Sequence, residues 1–175
     1  PTQAEAAANS FRAQYDGYRA IKGVNPDSKT ETYFRIKGFL DGRRWDGVPI
    51  TMESGKHMGT PRKEIEIVLR HSVPCLCPRD GSGKISENGH LKNKIIIHLE
   101  PNEGITITFY SKKQGYSFEI EERSLAFAFR KDSAHHAQYT EEYEKLLLDC
   151  IAGDQTLFVS SDEINAMWKF VDPFI

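Results

Sequence analysis

The chain has 175 residues, with 23 Lys and Arg against 25 Asp and Glu, for a formal net charge of -2. That length suits one domain, and the near-zero charge argues against a dedicated nucleic-acid binder, which needs a clustered basic excess over phosphates. Apolar runs such as Ile95-Ile96-Ile97 fall far short of the roughly 20 residues that cross a bilayer, so no membrane partner is expected. Cys75, Cys77 and Cys150 are too few and odd in number for a disulfide framework, which points to a reducing, cytoplasmic setting.

In chain order, Thr2 to about Tyr18 is rich in Ala, Gln and Glu with apolar residues at helical spacing, which predicts an entering helix. The stretch from Gly23 to Ser28 breaks it, because Pro26 lacks an amide hydrogen and fixes its own φ. Residues 30–40, 48–53, 63–70, 93–99, 105–110 and 117–129 then read as strands. Ile105-Thr106-Ile107-Thr108-Phe109 has a strict period of two, the mark of one buried face. Leu125-Ala126-Phe127-Ala128-Phe129 alternates large and small apolar residues, so its second face is expected to be covered too. Short polar turns such as Lys112-Lys113-Gln114-Gly115 favour antiparallel pairing. The Gly/Ser/Asn-rich residues 78–91 read as a mobile surface loop.

Beyond Tyr139 the period becomes helical again. Thr140 reads as a cap, with Glu141 and Glu142 in the first turn. Tyr143, Leu146, Leu147, Cys150 and Ile151 form one apolar stripe, and Gly153 is the stop. Ser160 to Glu163 opens a last helix that ends near Pro173. The predicted class is α+β, with a large, mainly antiparallel sheet flanked by helices at both ends of the chain.

For chemistry, Ser54-Gly55-Lys56 stands where a strand ends, with Arg62 and Lys63 close behind. A strand end aims a lysine, a glycine permits close backbone approach to a ligand, and such cations can hold a phosphate. A turn carrying solvated lysines is the plainer reading of the same residues. Cys75 and Cys77 lie between His71 and His90, but zinc sites space paired cysteines by two to four residues, so no metal is expected. His135-His136 has no matched carboxylate and nucleophile in sequence and reads as exposed loop histidines. Gly81-Ser82-Gly83-Lys84 lacks the strand before and helix after that a phosphate loop needs. Gly-x-Gly-x-x-Gly, Gly-x-Ser-x-Gly and His-Glu-x-x-His do not occur. Residue patterns alone define a binding or assembly domain with a candidate anion site.

A run of blocks in fixed order carries further information. It begins with Arg12-Ala13-Gln14-Tyr15, Ser28-x-Thr30-Glu31-Thr32-Tyr33, Arg44-Trp45-x-Gly47-Val48-Pro49-Ile50 and Ser54-Gly55-Lys56. It continues with Glu100-Pro101-Asn102-Glu103-Gly104 and Lys112-Lys113-x-Gly115. It closes with Tyr143-Glu144-Lys145-Leu146-Leu147-Leu148-Asp149, Gly153-x-Gln155-x-Leu157-Phe158-Val159 and Asp162-Glu163-Ile164-x-Ala166-x-Trp168. In this order the chain resembles the C-terminal, substrate-side part of glucose-6-phosphate dehydrogenases.

The resemblance implies one substrate-binding and dimerisation domain over residues 1–175, whose sheet makes a homodimer interface. It implies participation in hydride transfer from glucose 6-phosphate to NADP, the step that gives the lactone and opens the pentose phosphate pathway. Lys56 corresponds to a lysine that contacts the sugar phosphate. The family's second basic contact falls at Pro61, which cannot donate, so Arg62 is the candidate substitute. Glu100 stands where the family can carry Gln, which tells against a second, structural NADP site. The nucleotide-binding N-terminal domain and the catalytic histidine have no match here, and with Pro1 as first residue this suggests an excised domain. No catalytic residue is therefore expected in this chain, nor strong NADP binding by it alone. The rival expectation is a non-catalytic sugar-phosphate-binding or assembly module derived from the enzyme.

Overall fold

The computed structural model describes residues 1–71, 77–79, 82, 85, 90–129 and 142–175. The chain divides into two compact units, Pro1–Gly59 with Tyr139–Ile175, and Thr60–Gln138. The expected cap Thr140, the pair His135-His136, Cys75 and most of the glycine-rich loop lie outside the described residues.

The first unit opens with α1 (Gln3–Ala8), closed at its start by a reciprocal capping box. The Glu5 carboxylate accepts the Thr2 amide at 2.8 Å, and the Thr2 hydroxyl accepts the Glu5 amide at 3.3 Å. The predicted helix to Tyr18 is thus cut short. Asn9 ends it, and Ser10–Ala13 becomes strand β1 because it pairs antiparallel with β2 (Tyr33–Phe39), placing Ala13 opposite Tyr33. A long-range ladder outweighs local helix propensity here, which is worth only tenths of a kcal/mol per residue. Strand β3 (Pro49–Gly55) completes a three-stranded sheet in the order β1-β2-β3.

The C-terminal part of the chain adds α2 (Glu142–Ala152), α3 (Ser161–Val171) and a 3-10 turn at Asp172–Phe174 that packs on α1. Ala6 and Phe174 are buried there. Phe170 of α3 packs over Gly38 of β2, 3.6 Å from where a Cβ there would sit, an ordinary contact distance. The apolar stripe of α2 is largely open to solvent: Tyr143, Leu147, Cys150 and Ile151 are exposed and Leu146 is half-buried, while Asp149 is buried and ion-paired with Lys145 one turn earlier.

The second unit is a four-stranded antiparallel sheet, β4 (Lys63–Val68), β5 (Lys94–Glu100), β6 (Gly104–Lys112) and β7 (Ile120–Ala128), in that order. Its register gathers apolar residues on one face. Ile65, Ile97, Ile105 and Phe127 form one cross-strand row, and Ile67, Ile95, Ile107 and Leu125 the next. The opposite face is polar and knitted by charge, with Lys94 2.8 Å from Glu66 and the Tyr110 hydroxyl donating to Glu122 at 2.9 Å. Leu125, Phe127 and Phe129 are 63%, 50% and 58% exposed. The expectation that this strand is covered on both faces is therefore not met among the described residues. Gly104 has a strict reason to be glycine, since a Cβ there would lie 2.4 Å from the Phe127 carbonyl oxygen.

The α+β class and the antiparallel pairing are as the sequence predicts. The strands are shared between two sheets instead of forming one large one. Between β3 and β4 the chain holds His57 at φ 55° and carries Gly59 and Pro61, a stretch unsuited to a continuing ladder. No helix among the described residues is long and apolar enough to cross a membrane.

Candidate functional site

Lys56 follows directly on β3, and a relay of hydrogen bonds holds its backbone. The Lys56 amide donates to the Thr32 carbonyl at 2.8 Å, and the Thr32 amide donates to the Ala13 carbonyl at 2.9 Å. The Thr32 hydroxyl accepts the Tyr15 amide at 2.9 Å. Gln14 clamps the intervening loop, its side-chain amide donating at 2.8 Å to the carbonyls of both Ser28 and Thr30. Arg19 holds that amide's oxygen at 2.8 Å. The motif blocks 12–15 and 28–33 are therefore one device that fixes the strand end from which Lys56 projects. Their side-chain roles were not read from the sequence, although the blocks themselves were the available signal.

The Lys56 side chain is exposed, and its ammonium has no ion pair among the described residues. Gly55 serves a different end from the one expected. A Cβ at this position would lie 2.9 Å from the Tyr33 ring and 3.0 Å from the Met58 sulfur, so the glycine accommodates packing within the protein. Loss of water, followed by the nearby Glu53 carboxylate, pushes the Tyr33 hydroxyl above its ordinary pKa, so this phenol stays protonated. His57 stacks against Tyr15 with ring centroids 4.2 Å apart.

Arg62 belongs to the second unit, just before β4. Its guanidinium lies 3.4 Å from Glu64, which the Arg62 charge shares with His98 at 3.8 Å. The next cation, Lys63, bonds Glu100 at 2.8 Å across the β4–β5 pair. Lys56 is therefore the cation of this group that has no ion pair among the described residues. Arg62 is already engaged.

The cysteine loop gives a grouping that spacing did not suggest. Cys77 is buried beside His71 and His90, and burial, then the charges of His90 and Lys92, hold the His71 imidazole below its ordinary pKa.

Two antiparallel sheets and capped helices define an α+β chain, in which Lys56 stands at a braced strand end with no ion pair among the described residues. The chain belongs to the family described as glucose-6-phosphate dehydrogenase, C-terminal domain, whose model matches residues 1–175. It is 36% identical to glucose-6-phosphate 1-dehydrogenase of Borreliella burgdorferi, over 89% of this chain and 30% of that protein. It is 38% identical to the Aggregatibacter actinomycetemcomitans protein of the same name, over 91% of this chain and 30% of that one. Among solved structures it resembles glucose-6-phosphate 1-dehydrogenase from Mycobacterium avium, with TM-score 0.70 and 27% identity over 99% of this chain and 34% of the other. It also resembles a glucose-6-phosphate dehydrogenase in complex with its substrate glucose-6-phosphate, with TM-score 0.78 and 27% identity over 98% of this chain and 34% of the other. The chain spans about a third of the length of these relatives.

Proposed function

We propose that this chain is the substrate-side, C-terminal domain of an NADP-dependent glucose-6-phosphate dehydrogenase in which Lys56 holds the sugar phosphate. The observation that carries the reading is the exposed Lys56 at a braced strand end, with no ion pair among the described residues, in a chain of this family. The whole enzyme moves a hydride from C1 of glucose 6-phosphate to NADP and leaves the lactone. Lys56 contributes charge and position. A charge-assisted hydrogen bond from its ammonium to the phosphate or a ring hydroxyl anchors one end of the sugar while the other end reacts.

The residues of this chain do not fit the coenzyme. It has no Gly-x-Gly-x-x-Gly turn, and Glu100 brings a carboxylate, bonded to Lys63, to the block where a phosphate-rich ligand would need a donor. NADP and the proton-accepting group therefore belong to the part of the enzyme that relatives have beyond this third, and this chain alone is inactive. The open apolar face of β4–β7 supports the reading of a homodimer formed through the sheet. The exposed, unbridged Cys150 agrees with a cytoplasmic setting.

The test is steady-state kinetics on the full-length enzyme. A charge-assisted bond is worth about 1.5–3 kcal/mol, so Lys56→Ala should raise the KM for glucose 6-phosphate roughly 10- to 100-fold with an unchanged melting temperature. An unaltered KM would refute the assignment.

A further inference from the structure

The register of the β4–β5 hairpin brings together residues that lie far apart in sequence. Val68 pairs with Lys94, and the Leu69 amide donates to the Asn93 carbonyl at 2.9 Å. His71 and His90 lie just beyond this last rung on the two departing chains, and their ring centroids are 4.7 Å apart. Cys77 folds back onto the pair. It is buried, at 5% exposure, with its sulfur 3.5 Å from His71 Nδ1. One donor atom from each of His71, Cys77 and His90 lies within 4.8 Å of the others.

We propose that His71, Cys77 and His90 form a zinc site that closes the base of the β4–β5 loop. With Zn–S about 2.3 Å and Zn–N about 2.0–2.1 Å, tetrahedral geometry separates a sulfur from a nitrogen by about 3.6 Å. The observed sulfur-to-nitrogen distance of 3.5 Å already meets that requirement. A shared proton would need only one histidine and the thiol, whereas the metal gives the second imidazole a role. Two imidazoles and a thiolate are also the borderline-soft set that zinc prefers to calcium or magnesium. Zinc would neutralise a buried thiolate whose charge is otherwise costly there. The Leu91 amide donates to the same sulfur at 3.3 Å, an outer bond of the kind that orients and steadies a metal-bound thiolate. The three donors found among the described residues fill three of the four tetrahedral positions. The cysteine-spacing argument does not apply, because the donors come from two departing strands and not from a cysteine pair.

The test uses the purified full-length protein, prepared without chelator and dialysed against metal-free buffer. Elemental analysis should find one zinc per chain. Cys77→Ser and His90→Ala should each abolish it, because removing a ligand costs more than the roughly 100-fold in affinity that outer-sphere changes reach. His90 is exposed, so its variant keeps its circular dichroism even if Cys77→Ser does not fold. Cobalt(II) added to metal-free wild type should produce a thiolate-to-cobalt charge-transfer band in the near ultraviolet. Folded wild-type protein that takes up neither metal, or zinc retained in full by His90→Ala, would overturn the proposal.

Discussion

Lys56 and Arg62 have the same charge and different surroundings, and that difference predicts their behaviour. Arg62 lies beside Glu64, so part of its charge is already spent, while Lys56 has no acidic partner among the described residues. In the full-length enzyme Arg62→Ala should raise the KM for glucose 6-phosphate by less than Lys56→Ala does. Glu64→Gln should leave that KM unchanged or lower it, because it releases the guanidinium. An Arg62→Ala defect equal to that of Lys56→Ala would reverse this ranking. Gly104 offers a second test at the same scale. Its missing Cβ would meet backbone, which cannot swing aside, so Gly104→Ala should cost about 1–3 kcal/mol of stability, read as a fall in the denaturation midpoint.

At the scale of elements, α3 depends on its first turn. The Ser160 hydroxyl accepts the Glu163 amide at 3.3 Å, and the Glu163 carboxylate accepts the Ser160 amide at 2.7 Å. Ser160→Ala should cost about 0.5–2 kcal/mol. The bonds from Ser160, backbone first and then hydroxyl, hold the Glu163 carboxyl below its ordinary value of 4.5 in the folded state. The unfolded chain therefore binds the proton more tightly, and the contribution of Glu163 is present above pH 4.5 and lost as pH falls through the lower folded value. The difference in melting temperature between wild type and Glu163→Ala should accordingly narrow below pH 4.5. This helix start was legible in the sequence because a capping box is local. The strands were legible too, since their period of two survives in the residues whatever the partner. Residues 10–13 were misread as helix because their partner strand begins at Tyr33, and only the paired ladder decides their conformation. The same reason separates the parts of the candidate sites. Lys56 follows its strand directly and could be picked out, while the Arg62–Glu64 pair and the approach of His71 to His90 depend on contacts that spacing does not encode.

At the scale of the whole molecule, the apolar rows on β4–β7 are the face through which the proposed homodimer would form. Phe127 is half exposed and ends one row on the edge strand β7, so in the full-length enzyme Phe127→Asp should place a charge in the proposed subunit interface and yield monomers by sedimentation. A variant that remains dimeric would place the interface elsewhere. The isolated chain should reduce no NADP when given glucose 6-phosphate, and turnover above background would contradict its reading as the substrate-side part alone. The open face has a further consequence, which is one of mass action. If the rows are covered only by a second subunit, association contributes to the folded state's stability, and dilution removes that contribution. The melting temperature of the enzyme should then climb with protein concentration, while that of Phe127→Asp stays flat, so heat resistance becomes a property of how much enzyme is present as well as of its sequence.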